Sequence, residues 1–361
     1  MPAAAAAGDL RRRGASRAVE PAHLGLFLLK PLRNPENSMR RLTAALAVLV
    51  LSAGSAILTV EPAHAYGNAF FHTQSSGNRG VEVMAMQHLL VHHGLAAPTT
   101  GVFDSATVAA VRAFQTARTL GVDGIAGPKT WAALTPTVRA GDSGDAIKAL
   151  QLELNAKRRM NLPVSGQFDA ATTTAVRGFQ EHAGIAVDGI AGPATWKNLI
   201  WHHDYPDFGQ GLCDQDPDGN GTAANWGTGA AVAQLEQAAK VFTGTGRGKV
   251  PLGDFGFEHG GAIPGHSSHR VGLDVDLWPI RTDGAQCGGG RITWRSSTYD
   301  RAATRDLVKA IRAAAPGHVK LIFFNDPTLI DEGLTTSYAN HDNHLHVRYC
   351  EAVHPNSLYV C

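Results

Sequence analysis

The chain has no excess of charge of either sign. Its 361 residues carry 32 Lys+Arg against 31 Asp+Glu, a formal net charge of +1. That balance argues against affinity gained by neutralising phosphates, so no nucleic-acid partner is expected. Charge of any kind is sparse, at 17%, where soluble proteins average about 25%. With 44% hydrophobic residues there is enough apolar surface to build a core, which excludes wholesale disorder. Cysteine is scarce: four residues and no CxxC pair. HExxH is absent, so a helix-borne Glu acting as base on a metal site is excluded. Long hydrophobic runs are absent except for one near the N-terminus. What is present in unusual amount is histidine, 17 residues, ten of them from His202 onward. At this length two or three domains are expected.

The single apolar run, Leu42–Val60, follows Arg40 and Arg41 and precedes Ala63-His64-Ala65. A basic start, an apolar stretch and an A-x-A site together read as a secretory signal rather than an anchor, because Ala, Ser and Gly dilute the run. Met39 sits where such a signal would begin, so residues 1–38 read as an upstream extension. The expected mature chain is secreted, has no membrane span and is a monomer. Export makes disulfides possible. Four cysteines allow three connectivities; Cys350–Cys361 with Cys213–Cys287 is expected, since the first closes a short C-terminal loop.

The middle of the chain repeats itself. Phe103-Asp104 recurs as Phe168-Asp169, Phe114-Gln115 as Phe179-Gln180, and Val122–Trp131 as Val187–Trp196, all at an offset of 65. Gln87 matches Gln151 at 64, so the loop between gained one residue. Each copy reads as three short helices. Asp104 and Asp169 cap the second, Pro128 and Pro193 open the third, and Phe114, Trp131, Phe179 and Trp196 are core. The copies resemble the peptidoglycan-binding domain of cell-wall hydrolases through the FQ…DGIAGPxTW pattern, which implies peptidoglycan as partner. Two modules in series would raise the local substrate concentration.

Beyond Ile200 the composition shifts to Gly-rich loops and His. Ala230–Val241 and Ala302–Ala315 read as helices and Val319–Phe324 as a buried strand. In Ser267–Leu277, Val271, Leu273, Val275 and Leu277 alternate with Gly272, Asp274 and Asp276. Period two predicts a half-buried strand with both carboxylates on one face and His269 just before it. In Asn340–Cys350, His344 and His346 alternate with Leu345 and Val347 and share a strand face, Cα atoms about 7 Å apart. That spacing suits one His on a metal and the other on the water beside it, with His341 in the preceding turn. His269, Asp276 and His346 make three ligands, and three leave a catalytic position open. Histidine is then the natural base. Asp214–Gly221 matches the start of a calcium loop, but Asn225 stands at position twelve; an Asp/Gly turn is the better reading.

These stretches resemble the penicillin-insensitive murein endopeptidases, within the wider group of lysostaphin-like and D-Ala-D-Ala zinc peptidases. The resemblance is carried by Ser267, His269, Gly272 and Asp276, by His344-x-His346, by VPLGDFGFEHGG (Val250–Gly261) and by HxxHxHVR (His341–Arg348). It implies Zn2+ held by His269, Asp276 and His346, His266 as a fourth ligand, His344 as base and His341 assisting or stabilising the oxyanion. Asp274 supports the site. The implied fold is multidomain: two small three-helix peptidoglycan-binding domains, 79–135 and 138–200, then an α+β zinc peptidase domain, 205–361, with a central antiparallel sheet. Residues 39–65 would be the signal peptide and 66–78 a linker. The implied activity is hydrolysis of peptide cross-links in the cell wall; the alternatives are a D,D- or L,D-carboxypeptidase and a non-catalytic wall-binding protein.

Overall fold

The computed structural model describes residues 69–215 and 224–361. The expected extension and signal peptide, and most of the Asp214–Gly221 turn, lie outside the described residues. The first repeat forms α1 (Val81–His92), α2 (Ser105–Ala117) and α3 (Pro128–Leu134); the second forms α4 (Asp145–Arg158), α5 (Ala170–His182) and α6 (Pro193–Trp201). Asp104 and Asp169 accept from the backbone N–H of Thr107 and Thr172, the expected caps. Phe114, Trp131, Phe179 and Trp196 are all buried.

The repeated Phe-Gln pair has a structural cause. Buried Gln180 donates from Nε2 to Asp188 Oδ1 (2.7 Å) and to the Ile190 carbonyl (3.0 Å), while its Oε1 accepts from Gly189 N (2.9 Å). Gln115 makes the same bonds to Asp123, Ile125 and Gly124. The glutamine therefore clamps the DGIAG turn onto its helix. Gln180→Ala strands a buried N–H and a carbonyl, and is expected to cost about 2–3 kcal/mol, read as a lowered urea midpoint.

The repeats are not beads on a string. α1 packs on α4, and one core runs through both copies from Phe71 to Ile200. Buried Lys157 of α4 reaches Glu82 of α1 (2.6 Å) and Asp204 (2.8 Å). Its ammonium stays charged against the penalty of burial because Asp204, Glu82 and Glu153 surround it. The stretch expected as a linker is, from residue 69, packed instead. Phe71, His72, Thr73 and Gln74 are buried. His72 Nδ1 lies 2.7 Å from Glu351 Oε1, and Thr73 N donates to Glu351 Oε2 at 3.0 Å, which joins the first repeat to the far end of the C-terminal domain.

That domain is α+β. Its five strands are β1 (Leu212–Asp214), β2 (Val250–Leu252), β3 (Asp274–Leu277), β4 (Val319–Phe323) and β5 (Leu345–Tyr349), in the order β1-β2-β3-β5-β4. β1 and β2 run parallel and the other pairs antiparallel, so the sheet is mixed at one edge. The helices α7 (Gly229–Thr243) and α8 (Arg301–Ala314) cover one face, against Val275, Leu277, Leu345 and Val347. A short α9 (Pro327–Asp331) follows β4. Both expected disulfides, Cys213–Cys287 and Cys350–Cys361, are formed.

Three local expectations are corrected. Val319–Phe323 is an edge strand with Lys320 exposed and only Ile322 fully buried, because it has a neighbour on one side only. The strand expected from Val271 begins at Asp274: His269 (φ 62°) and Gly272 (φ 67°) sit in the left-handed region and turn the chain first. A Cβ on Gly272 would come within 2.8 Å of the His203 ring, so the close approach requires glycine. Finally β3 is buried on both faces, since its polar face is covered by histidines and arginine rather than water.

Candidate metal centre

Strand register builds the centre. β3 and β5 pair so that Asp276 lies opposite His346 and Asp274 opposite Arg348. Period two sends all four side chains to the face away from α7 and α8. His269 enters from the turn before β3. His266, His269, Asp276, His341, His344 and His346, the six residues expected from sequence, all line one open cleft of about 640 Å³, with Trp278, Arg291 and Tyr338 on its walls.

The ring nitrogens are sorted by their partners. His269 Nδ1 faces the Phe255 carbonyl at 3.0 Å, an atom that only accepts, so this nitrogen carries the proton. His346 Nε2 faces Asp274 Oδ1 at 2.9 Å and donates likewise. Their other nitrogens turn toward each other: His269 Nε2 is 3.2 Å from His346 Nδ1. Asp276 Oδ1 completes a triangle, 3.4 Å from His269 Nε2 and 3.0 Å from His346 Nδ1. With the neutral tautomers these are three acceptors facing one another, which repel unless a proton or a metal ion sits among them. Tetrahedral ligands at zinc distances of 2.0–2.1 Å stand about 3.3 Å apart, so the donor set fits zinc. His266 stands one step out. Its Nε2 is tied to Asp254 Oδ2 (3.0 Å), while its Nδ1 is 3.8 Å from Asp276 Oδ2, within reach as a fourth donor.

Electrostatics agree with this sorting. Burial opposes charge on His346, but the hydrogen bonds with Asp274 and Asp276 overcome it and push the ring up to about 9. Burial also penalises the Asp276 carboxylate, yet His269, His346 and His344 hold it well below the usual carboxylate range. Without metal, then, a second proton occupies His346 Nδ1 below about pH 9, and a metal must displace it. Zinc affinity is expected to rise about tenfold per pH unit up to about pH 9, measured by competition with a chromophoric chelator; a flat profile would remove His346 from the ligand set.

His344 differs. Burial holds it down to about 4 against the pull of Asp276, so it is neutral at physiological pH. Its Nδ1 pairs with Asn343 Oδ1 (2.8 Å), and its Nε2 points to Asp276 Oδ2 at 3.7 Å, the oxygen outside the triangle. The His341 ring is 4.5 Å from that of His344, and its Nδ1 donates to the Ala339 carbonyl (2.7 Å). Sequence reasoning missed Phe255, Asp254, Arg348 and Tyr359, which orient the rings and their carboxylates. Asp254 and Phe255 lie in the VPLGDFGFEHGG stretch and Arg348 shares a strand face with His346, but their partners in the site are set by the fold, and Tyr359 carries no periodic signal.

Comparison with known proteins matches this division. The peptidoglycan binding domain family model fits residues 79–134 and 143–199, and the penicillin-insensitive murein endopeptidase model fits residues 221–315. The latter match includes His266, His269 and Asp276 and ends before His341. An uncharacterised protein of Kitasatospora aureofaciens is 48% identical over 18% of this chain and 55% of its own length. The zinc D-Ala-D-Ala carboxypeptidase of Streptomyces albus G is 39% identical over 22% of this chain and 30% of its own. The N-acetylmuramoyl-L-alanine amidase CwlM of Mycobacterium tuberculosis is 36% identical over 28% of each chain. The chain spans about half or less of the length of these relatives.

Proposed function

We propose that this chain, with two matches to the peptidoglycan binding domain model ahead of one to the penicillin-insensitive murein endopeptidase model, is a secreted zinc-dependent hydrolase of peptide cross-links in peptidoglycan. The observation that carries the proposal is the triangle of His269 Nε2, Asp276 Oδ1 and His346 Nδ1 in an open cleft, with a neutral His344 beside it. The two disulfides support an oxidising compartment. Among the described residues no helix is long and apolar enough to cross a membrane.

His269, Asp276 and His346 would hold the ion, with His266 in reach. Zinc bound there supplies Lewis-acid activation of the water and of the scissile carbonyl. The rest falls to the chain's own groups. His344 Nε2 takes a proton from the attacking water and returns it, as imidazolium, to the leaving amine. Phe255 and Asp274 keep the two ligand rings in the tautomers that face inward. His341, with its proton turned to Ala339, offers the cleft an acceptor; stabilising an oxyanion, the role its resemblance implies, would require its imidazolium form. The repeats would hold the cleft against its polymeric substrate.

A carboxypeptidase remains the second reading, favoured by the similarity to the Streptomyces albus G protein. Mass spectrometry of purified cross-linked muropeptides, incubated with residues 66–361 with and without EDTA, decides between them. Monomer products that disappear with EDTA support the endopeptidase. Loss of one residue without splitting supports the carboxypeptidase. Cleavage unaffected by EDTA rejects both.

A further inference from the structure

Away from the cleft, where the second repeat meets the C-terminal domain, lies another cluster. His182 ends α5, His202 follows α6, and Glu258 and His259 lie in the loop after β2. The three imidazole rings are mutually 5.1–5.4 Å apart. Glu258 sits among them, its Oε1 3.2 Å from His182 Nε2 and 3.3 Å from His202 Nε2, its Oε2 3.5 Å from His259 Nε2. The nitrogens of His182 and His202 are themselves 3.3 Å apart. His202 Nδ1 bonds the His203 carbonyl at 2.7 Å, so in the neutral ring Nε2 is the acceptor. Two imidazole nitrogens and a carboxylate oxygen thus form a triangle with edges of 3.2, 3.3 and 3.3 Å, the shape found in the cleft.

We propose that His182, His202, Glu258 and His259 form a second zinc site that clamps the second repeat to the C-terminal domain. Three nitrogens and one carboxylate are a closed four-ligand set, the arrangement of a structural site rather than a catalytic one. All four donor atoms lie within 4.8 Å of one another. His202 is fully buried, whereas the other three are 23–31% exposed, which gives an ion a way in from solvent. The cluster already draws a cation: Arg158 Nη1 reaches Glu258 Oε1 (2.8 Å) and His182 Nε2 (2.9 Å). Arg158 ends α4 with its side chain 27% exposed, so it can swing outward, and a metal would take its place. The loop bearing Glu258 and His259 continues to Gly261, whose N–H donates to the Arg270 carbonyl beside His269. The clamp therefore also braces the turn that carries a ligand of the cleft.

Zinc content per chain, measured on the full protein after loading with Zn2+ and gel filtration, tests this. Two equivalents are expected in the wild type, one in His182→Gln/His259→Gln, and one in His269→Ala. Arg158→Gln should retain two and hold the second against a higher chelator concentration, because the competing cation is gone. A wild type with one equivalent that vanishes in His269→Ala overturns the clamp, as does a His182→Gln/His259→Gln chain that keeps two. Failure of the cleft centre instead shows as an unchanged count in His269→Ala, so the two readings fail separately.

Discussion

His344→Ala is expected to lower the turnover of cross-linked muropeptides by about 10²–10⁴-fold while the zinc stays bound, the range for loss of a positioned proton-transfer group. Turnover and metal content separate here because of where the ring stands. Its Nε2 approaches Asp276 Oδ2, not the oxygen that faces His269 and His346. Removing it leaves the triangle of donors whole. His346→Ala removes one corner, so the cleft's equivalent of zinc and the activity should fall together. Metal analysis beside kcat and KM for both variants is the check. Zinc lost from the His344 variant in step with activity would mean that the two histidines exchange roles. Activity above about a tenth of wild type would mean that the proton goes elsewhere, with His341, 4.5 Å away ring to ring, the next group to test.

Much of this was legible in the chain because it follows from spacing. The offset of 65 announces two equal modules, and the Asp caps and Pro starts place their helices. Period two puts Asp274 with Asp276 and His346 with Arg348, and the pairing of β3 with β5 turns two separate patterns into one site. What stayed hidden is set by contacts across the fold. His269 was expected at a strand entrance, but its place depends on a left-handed backbone and on a carbonyl fourteen residues earlier. Residues 71–75 of the supposed linker are buried, held in part by Glu351, which accepts from Thr73 N some 280 residues later. The cluster of His182, His202, Glu258 and His259 joins two modules, and nothing in either module's own pattern foretells it.

Asp274→Ala is expected to cost about 3–5 kcal/mol of stability, because it leaves a buried cation unpaired, and separately to weaken zinc binding about 10–100-fold through loss of a group that orients a ligand. The carboxylate is fully buried and every partner is a donor: His346 Nε2 at 2.9 Å, Arg348 Nε at 2.6 Å, Tyr359 Oη at 2.6 Å and the His269 backbone N–H at 3.1 Å. Burial penalises its charge, yet His346, His269 and Arg348 hold it well below the ordinary carboxylate range. One residue thus balances Arg348, fixes the tautomer of His346 and anchors the left-handed backbone of His269, the two imidazoles of the proposed zinc site. The two losses come apart in Asp274→Ala/Arg348→Met, where the unpaired cation is gone. Unfolding of the metal-free double variant should recover most of the lost stability, since no buried charge is stranded. Its zinc affinity should stay low, because His346 Nε2 and His269 N still lack their acceptor. If affinity returned along with stability, Asp274 would act only by balancing Arg348, and the orientation of His346 would have to come from its packing against Phe323, whose ring lies 5.9 Å from it.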